Sequence, residues 1–82
     1  MNDDEVLRGI EDVARRHLGW DGTLTPHQPI GEAMALDSLR RLTLVVEIEN
    51  RFRVCLEEED DTAIETVGDL IAAIRRRSAA GE

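Results

Sequence analysis

The amino-acid sequence predicts an all-α fold, a four-helix bundle of three main helices and one short helix, with a long loop between the first two helices. Three segments carry apolar residues at steps of three and four, which is the spacing of one helix face. The 82 residues make one small domain, 1–82, because a second hydrophobic core needs a longer chain. With 41% hydrophobic and 34% charged residues, the composition is that of an ordinary globular protein. We expect only the tail, about 79–82, to fray.

The first helix is predicted from about residue 3 to residue 18. Asn2 and Glu5 have the spacing of a capping box, and Gly19 is a plausible stop. Gly9 costs this helix about 1 kcal/mol relative to alanine, so we expect the apolar face to compensate through packing. That face consists of Val6, Leu7, Ile10, Val13, Ala14, His17 and Leu18.

The connection from 20 to 37 lacks helical periodicity. Its turn-forming residues are Gly22, Pro26, Pro29 and Gly31. Its scattered apolar anchors are Leu24, Ile30, Met34 and Leu36. Loops longer than about 12 to 15 residues are uncommon unless they serve a function, so we expect this loop to have one.

The second main helix is predicted to begin at Asp37 or Ser38 and to end at about Arg51 or Phe52. Its apolar residues extend beyond a simple stripe, so we expect it to be the central, most buried helix. Several β-branched residues leave a strand possible, but a run of this length and periodicity favours a helix. One broad apolar face consists of Leu39, Leu42, Val45, Val46 and Phe52, and Leu44 and Ile48 widen the apolar surface further.

An acidic run, 57–61, precedes a short helical turn that we expect to reach Ile64. Thr66 then caps the last helix, with Asp69 as the weaker form of the capping-box partner. Three arginines, 75–77, complement the dipole at the C-terminal end of this helix. The predicted core of the whole domain is Val6, Ile10, Val13, Leu42, Val46, Phe52, Ile64, Val67 and Ile71.

Charge and residue usage exclude several classes of function. Acidic residues outnumber basic ones by 18 to 10, and the resulting net charge of -8 repels nucleic-acid phosphates. The chain has no lysine, which excludes lysine nucleophiles and Schiff bases. The single cysteine, Cys55, forms neither an internal disulfide nor a cysteine cage for zinc. We predict no metal site, no nucleic-acid or membrane partner and, from the acidic start of the chain, a cytoplasmic location.

Ser38 lies between Asp37 and Leu39, where the long loop meets the central helix. A hydroxyl at a helix start is close to free backbone N–H groups and to the positive end of the dipole, which favour an attached phosphate. Aspartate and serine are also the commonest helix caps. From composition and position alone, a plain cap is therefore the favoured interpretation.

Four features follow one another in a fixed order along the chain. They are Asp37-Ser38-Leu39, a hydrophobic helix ending in Glu49-Asn50-Arg51-Phe52, an acidic connector, and the segment from Ile64 to Leu70 with Thr66-Val67 at its centre. In this combination the sequence resembles the acyl carrier protein family, the free-standing phosphopantetheine-binding carriers, over almost its whole length.

The resemblance implies that a phosphopantetheinyl transferase esterifies Ser38, flanked by Asp37 and Leu39, with a 4'-phosphopantetheine arm from coenzyme A. The arm's thiol would hold acyl groups as thioesters, and the chain would be a carrier with no catalytic residue of its own. The implied partners are this transferase and the acyl- or aminoacyl-loading and condensing enzymes. We expect the carrier to be a monomer.

Arg40 and Arg41 stand where fatty-acid carriers usually continue with an acidic residue. Between residues 40 and 53, four arginines outnumber Glu47 and Glu49. Two arginines at the positive end of a helix dipole are unfavourable, so we expect recognition rather than stability to explain them. We assign Arg40, Arg41, Glu47 and Glu49 to partner recognition. The resulting hypothesis is a carrier for polyketide-type or other specialised biosynthesis, and the alternative is a free-standing peptidyl (aminoacyl) carrier of non-ribosomal peptide synthesis.

Other hypotheses have weaker support. One is a small helical interaction domain with a coincidental Asp-Ser-Leu motif. Another is a hydrolase triad of Ser38, Asp37 and either His17 or His27, which lacks a glycine-flanked nucleophile elbow. The acidic run lacks the ligand spacing and central glycine of a calcium loop. Acidic neighbours of Cys55 disfavour a reactive thiolate.

Overall fold

The computed structural model describes residues 2–34, 36–57 and 62–80, and confirms the all-α prediction. The helices are α1 (Asp3–Leu18), α2 (Ile30–Ala33), α3 (Ser38–Phe52) and α4 (Val67–Ala80). Thr62 and Ala63 are also helical, in the region where a short turn was predicted, whereas 58–61 in the acidic run lie outside the described residues. Because α4 continues to Ala80, helical structure extends further into the tail than expected.

Local sequence signals fix both ends of α1, as predicted. The Asn2 Oδ1 atom accepts a hydrogen bond of 2.9 Å from the Glu5 amide, which satisfies one of the unpaired donors of the first turn. Gly19 ends the helix in the left-handed conformation, with φ 64°, and its amide donates to the Ala14 carbonyl. Acidic residues in the first turn and basic residues in the last turn complement the dipole.

Gly9 is explained by the close approach of α3. A Cβ atom at this position would lie 3.0 Å from Cε1 of Phe52, and the ring's Cζ atom would be closer still. The Phe52 ring is half-buried and packs against the core. The glycine therefore gives up helix propensity to let an aromatic ring lie directly on the backbone of α1.

The orientation of α3 differs from the prediction. Leu44 and Ile48 face the core and are 1% and 0% exposed. Leu39, Leu42 and Val46 lie on the outer side and are 72%, 60% and 42% exposed. The prediction that Leu42 and Val46 belong to the core is therefore wrong. The expectation that this helix is the most buried one is wrong as well, because it contributes two buried residues whereas α1 contributes six. Both sides of this helix are apolar, so periodicity alone could not choose between them.

The remaining predicted core is confirmed apart from Phe52, which packs only half-buried against it. The buried members of that prediction are Val6, Ile10, Val13, Ile64, Val67 and Ile71. The long loop contributes the buried side chains of Leu24, Ile30 and Met34, while Leu36 packs half-buried beside them.

The long loop is held against the start of α4 by backbone hydrogen bonds. The Ile30 amide donates to the Glu65 carbonyl at 2.9 Å, and the Val67 amide donates to the Gln28 carbonyl at 3.0 Å. A third bond of 2.9 Å joins the Gly68 amide to the Pro26 carbonyl. These contacts stabilise α2, a four-residue helix inside a segment for which the sequence predicted no helix.

The predicted cap of α4 is confirmed. Thr66 Oγ1 accepts from the Asp69 amide at 3.2 Å, and Asp69 Oδ2 accepts from the amides of Glu65 and Thr66, both at 3.1 Å. The hydrogen bond from the Glu65 amide, followed by that from Thr66, holds the pKa of Asp69 below its ordinary value.

Within the described ranges, no helix is long and apolar enough to cross a membrane. Residues 2–34, 36–57 and 62–80 also contain no group of three or more histidine, cysteine, aspartate or glutamate side chains placed to hold a metal ion.

Candidate functional site

Ser38 is the first residue of α3 and is exposed. The preceding residue, Asp37, is the N-cap, and its Oδ1 atom accepts a hydrogen bond of 2.8 Å from the Arg40 amide. The sequence left open which of the two residues caps the helix, and the structure assigns that role to Asp37. The Ser38 hydroxyl thus lies at the positive end of a 15-residue helix without serving as its cap.

An open groove of about 420 Å³ begins at Ser38 and follows α3. Among the described residues, it is lined by Ser38, Arg41, Leu42 and Val45, whose spacing of three, four and seven places them on one side of the helix. The polar residues lie at its start, and the apolar ones lie further along. Such a groove suits a flexible ligand with an anionic root and a less polar extension.

Arg40 connects the start of α3 to the end of α1. Its Nη2 atom donates a hydrogen bond of 2.6 Å to the carbonyl of Leu18, in the last turn of α1. The last carbonyls of a helix have no partner inside the helix and favour a nearby cation. The Arg40 Nε atom is also buried, and it forms no hydrogen bond within the described part of the chain.

Arg41 reaches in another direction, towards the segment before α4. It is half-buried, and its Nη2 atom donates a hydrogen bond of 3.2 Å to the Ile64 carbonyl. Arg40 and Arg41 therefore both stabilise contacts between elements of the fold. The sequence argument that stability does not explain these two arginines is wrong.

Glu47 and Glu49, the other residues assigned to partner recognition, also make contacts within the fold. Glu47 Oε1 lies 3.5 Å from His17 Nε2, which links α3 to α1. Glu49 Oε2 accepts a hydrogen bond of 2.9 Å from the Leu56 amide, which fixes the loop after α3. Both carboxylates are thus part of the packing of α3 against its neighbours.

The exposed side of α3 carries an apolar strip that sequence reasoning missed. We call Leu39, Leu42 and Val46 the outer strip of α3. It starts beside Ser38 and continues along the helix. The sequence signal that could have revealed this strip was the position of Leu39. It follows an accessible serine at a helix start, so it lies on the same exposed turn. Leu42 and Val46, three and seven positions later, lie on the same side of the helix as Leu39.

A polar cluster joins α1 to α3 on another side. Asp12 Oδ2 lies 2.6 Å from Arg51 Nη1, and Asp12 Oδ1 lies 3.2 Å from Arg16 Nε. Desolvation raises the pKa of Asp12, but the hydrogen bond from Arg51 and the charges of both arginines outweigh it, so the pKa lies below its ordinary value. This cluster fixes the two helices relative to one another.

The structure does not bring together the hydrolase triad of Ser38, Asp37 and His17 that the sequence suggested. Asp37 caps α3, and His17 pairs with Glu47, which is more than two helical turns from Ser38. His27 is exposed in the long loop. What the site offers instead is an accessible hydroxyl at a helix start, next to a groove.

A family model described as a phosphopantetheine attachment site matches residues 8–74 of this sequence. The chain belongs to the acyl carrier protein family. The family's cofactor is a covalently attached 4'-phosphopantetheine, and the residues at the start of α3 fit it, because an exposed hydroxyl, a helix N-terminus and an open groove meet there.

Similar carriers come from several bacteria. An acyl carrier protein of Exiguobacterium sp. is 27% identical over 78 residues, which cover 94% of this chain and 99% of that protein. An acyl carrier protein of Kineococcus radiotolerans is 28% identical over 74 residues, 89% of this chain and 91% of the relative. The meromycolate extension acyl carrier protein of Mycobacterium tuberculosis is 26% identical over 77 residues, 93% of this chain and 67% of the relative.

Proposed function

We propose that Ser38 carries the 4'-phosphopantetheine arm of this acyl carrier protein. The observation that supports this assignment is that Asp37, and not Ser38, caps α3. The Ser38 hydroxyl therefore remains exposed beside the groove. The positive end of the helix dipole stabilises a phosphodiester at this position. The arm, once attached, supplies the thiol that carries acyl groups as thioesters.

The proposed attachment is tested by co-expression with a promiscuous phosphopantetheinyl transferase and intact-mass measurement. Wild-type protein should gain the mass of one phosphopantetheine group. Ser38→Ala should gain none while keeping its helical circular dichroism, because the cap belongs to Asp37. Mass gain in Ser38→Ala would show that another residue is the attachment site, and no gain in the wild type would overturn the proposal.

The proposed partner surface is the outer strip of α3. The charged residues that flank it are Arg40, Arg41, Glu47 and Glu49, each of which also makes a contact within the fold. Exposed large apolar side chains in a contiguous strip are typical of interaction sites. The first turn of α3 contains no acidic residue, so this surface differs from one that basic partners recognise. We propose that the carrier meets modifying, loading and condensing enzymes here.

We further propose that the carried group belongs to polyketide-type or other specialised biosynthesis. The arginines at the start of α3 support this, and one set of relatives is named for meromycolate extension. The same arginines favour the alternative, a free-standing peptidyl (aminoacyl) carrier. Incubating the arm-bearing protein with candidate acyl-loading and adenylating enzymes, and identifying the thioester by mass, separates the two.

A further inference from the structure

We propose that the C-terminal end of α1 positions the serine that receives the arm, through Trp20 on one side of the serine and Arg40 on the other. The inference rests on the proposed attachment at Ser38. The Trp20 side chain bonds to the end of α2, which precedes Ser38 in the chain. Arg40, two residues after Ser38, bonds to the last residue of α1. The two contacts therefore hold the chain before and after the serine against one helix end.

The contact before the serine is made by the indole of Trp20. This residue is fixed at the end of α1, because its amide donates a hydrogen bond of 3.2 Å to the Ala14 carbonyl. Its Nε1 atom donates a hydrogen bond of 3.0 Å to the carbonyl of Ala33, the last residue of α2. The Gly31 carbonyl, also in α2, accepts a hydrogen bond of 2.9 Å from the Leu36 amide. The contact with α2 therefore also restrains the residue two positions before the serine.

The contact after the serine is made by Arg40. Its amide donates to Oδ1 of Asp37, so Ser38 lies between two residues that are bonded to each other. Its Nη2 atom donates a hydrogen bond of 2.6 Å to the Leu18 carbonyl. A guanidinium is planar and its donors have fixed directions, so this bond restrains orientation as well as distance. The first turn of α3 is thereby joined to the last turn of α1.

Arm attachment depends on where the Ser38 hydroxyl lies. In the transfer, Oγ forms a bond to the phosphorus of the pantetheine phosphate in coenzyme A, and the pyrophosphate bond breaks, which releases the nucleotide part of coenzyme A and the hydroxyl proton. The oxygen must lie about 3–3.5 Å from the phosphorus, and a misplacement of about 1 Å costs up to about 100-fold in rate. Ser38 is in the first turn of α3, and helix ends fray unless other contacts hold them. The contacts with α1 therefore favour the reactive geometry.

Arg51 provides a matched control. Like Arg40, it is an arginine of α3 whose side chain bonds to α1, with Nη1 2.6 Å from Asp12 Oδ2. It lies about three helical turns from Ser38, so Arg51→Gln loosens the same pair of helices away from the serine. Trp20 is uncharged and lies outside the outer strip of α3. A change in the charge that a partner meets therefore does not explain an effect of Trp20→Phe.

The experiment follows a single turnover of arm attachment by intact mass, with a promiscuous phosphopantetheinyl transferase in excess and at a temperature where every variant is folded. Arg40→Gln and Trp20→Phe should lower the maximal rate by about 3- to 10-fold, while the transferase concentration that gives half of that rate stays within about twofold of the wild type. Arg51→Gln should keep both values. A wild-type maximal rate in Arg40→Gln or in Trp20→Phe, or an equal loss of rate in Arg51→Gln, would overturn the inference.

Amide hydrogen exchange of the free proteins, measured by NMR, supplies a readout that does not involve the transferase. The Leu36 and Arg40 amides are hydrogen-bonded on the two sides of the serine. Both should exchange faster in Arg40→Gln and Trp20→Phe than in the wild type, and at the wild-type rate in Arg51→Gln. Unchanged exchange in the first two variants would show that the end of α1 does not hold this segment. A wild-type protein that gains no arm would instead overturn the assignment of Ser38.

Discussion

The substitution Gly9→Ala tests how closely α1 and α3 approach one another. In the interior of an ordinary helix this change stabilises a protein by about 1 kcal/mol, because glycine has the lower helix propensity. Here the new methyl group would meet the Phe52 ring, with Cε1 only 3.0 Å from the Cβ position. Overpacking costs about 1–3 kcal/mol, so the propensity gain leaves a net loss of about 1 kcal/mol. In a domain of this size that loss lowers the Tm by about 4–8 °C.

A double-mutant cycle shows whether the ring is the cause. Phe52→Leu removes the ring, and in that background Gly9→Ala should stabilise the protein by about 1 kcal/mol, which gives a coupling of about 2 kcal/mol. The assay is urea unfolding of the four proteins, followed by far-UV circular dichroism. A Gly9→Ala protein with a higher midpoint than the wild type, or a cycle without coupling, would refute the packing argument.

Three further predictions concern α3 and the start of α4. Leu42→Ser should change the free energy of unfolding by less than about 0.5 kcal/mol, whereas Ile48→Ala should cost about 2–5 kcal/mol; equal losses in urea unfolding would contradict the orientation of α3. Arg53→Gly should stabilise the protein by about 1 kcal/mol, because Arg53 has φ 55°, and a lowered Tm would count against this. Since the native pKa of Asp69 is depressed, its contribution is present near neutral pH and is lost as pH falls through that native value. The stability difference between the wild type and Asp69→Asn should therefore shrink in acid, and a gap that widened below about pH 4 would contradict the assignment.

The helix boundaries could be predicted because their causes are local. Asn2 and Thr66 cap their helices through residues three positions away, and Gly19 ends α1 by its own left-handed conformation. The start of α3 was correct to within one residue for the same reason. Signals of this kind involve residues within about one helical turn of each other, so helix ends can be predicted from a single sequence.

The orientation of α3 and the roles of its arginines could not be predicted, because their causes are distant in sequence. Leu42 and Ile48 are equally apolar, and only the position of α1 decides which of them is buried. Arg40 and Arg41 find carbonyl partners 22 and 23 positions away. Ser38 was predicted as the attachment residue by resemblance, whereas the assignment of the capping role to Asp37 needed the structure.

The backbone bonds between the long loop and the start of α4 also bear on the order of folding. They join residues from opposite halves of the chain, such as Ile30 and Glu65, and so close a large loop. Contacts of this kind cost much chain entropy before they stabilise anything, and they therefore tend to form late. The loop precedes α3, so the docking of α4 fixes the chain segment that leads towards the start of that helix. On the proposed assignment of the arm to Ser38, a chain in which α4 has not docked would hold the approach to that serine less firmly than the folded chain does.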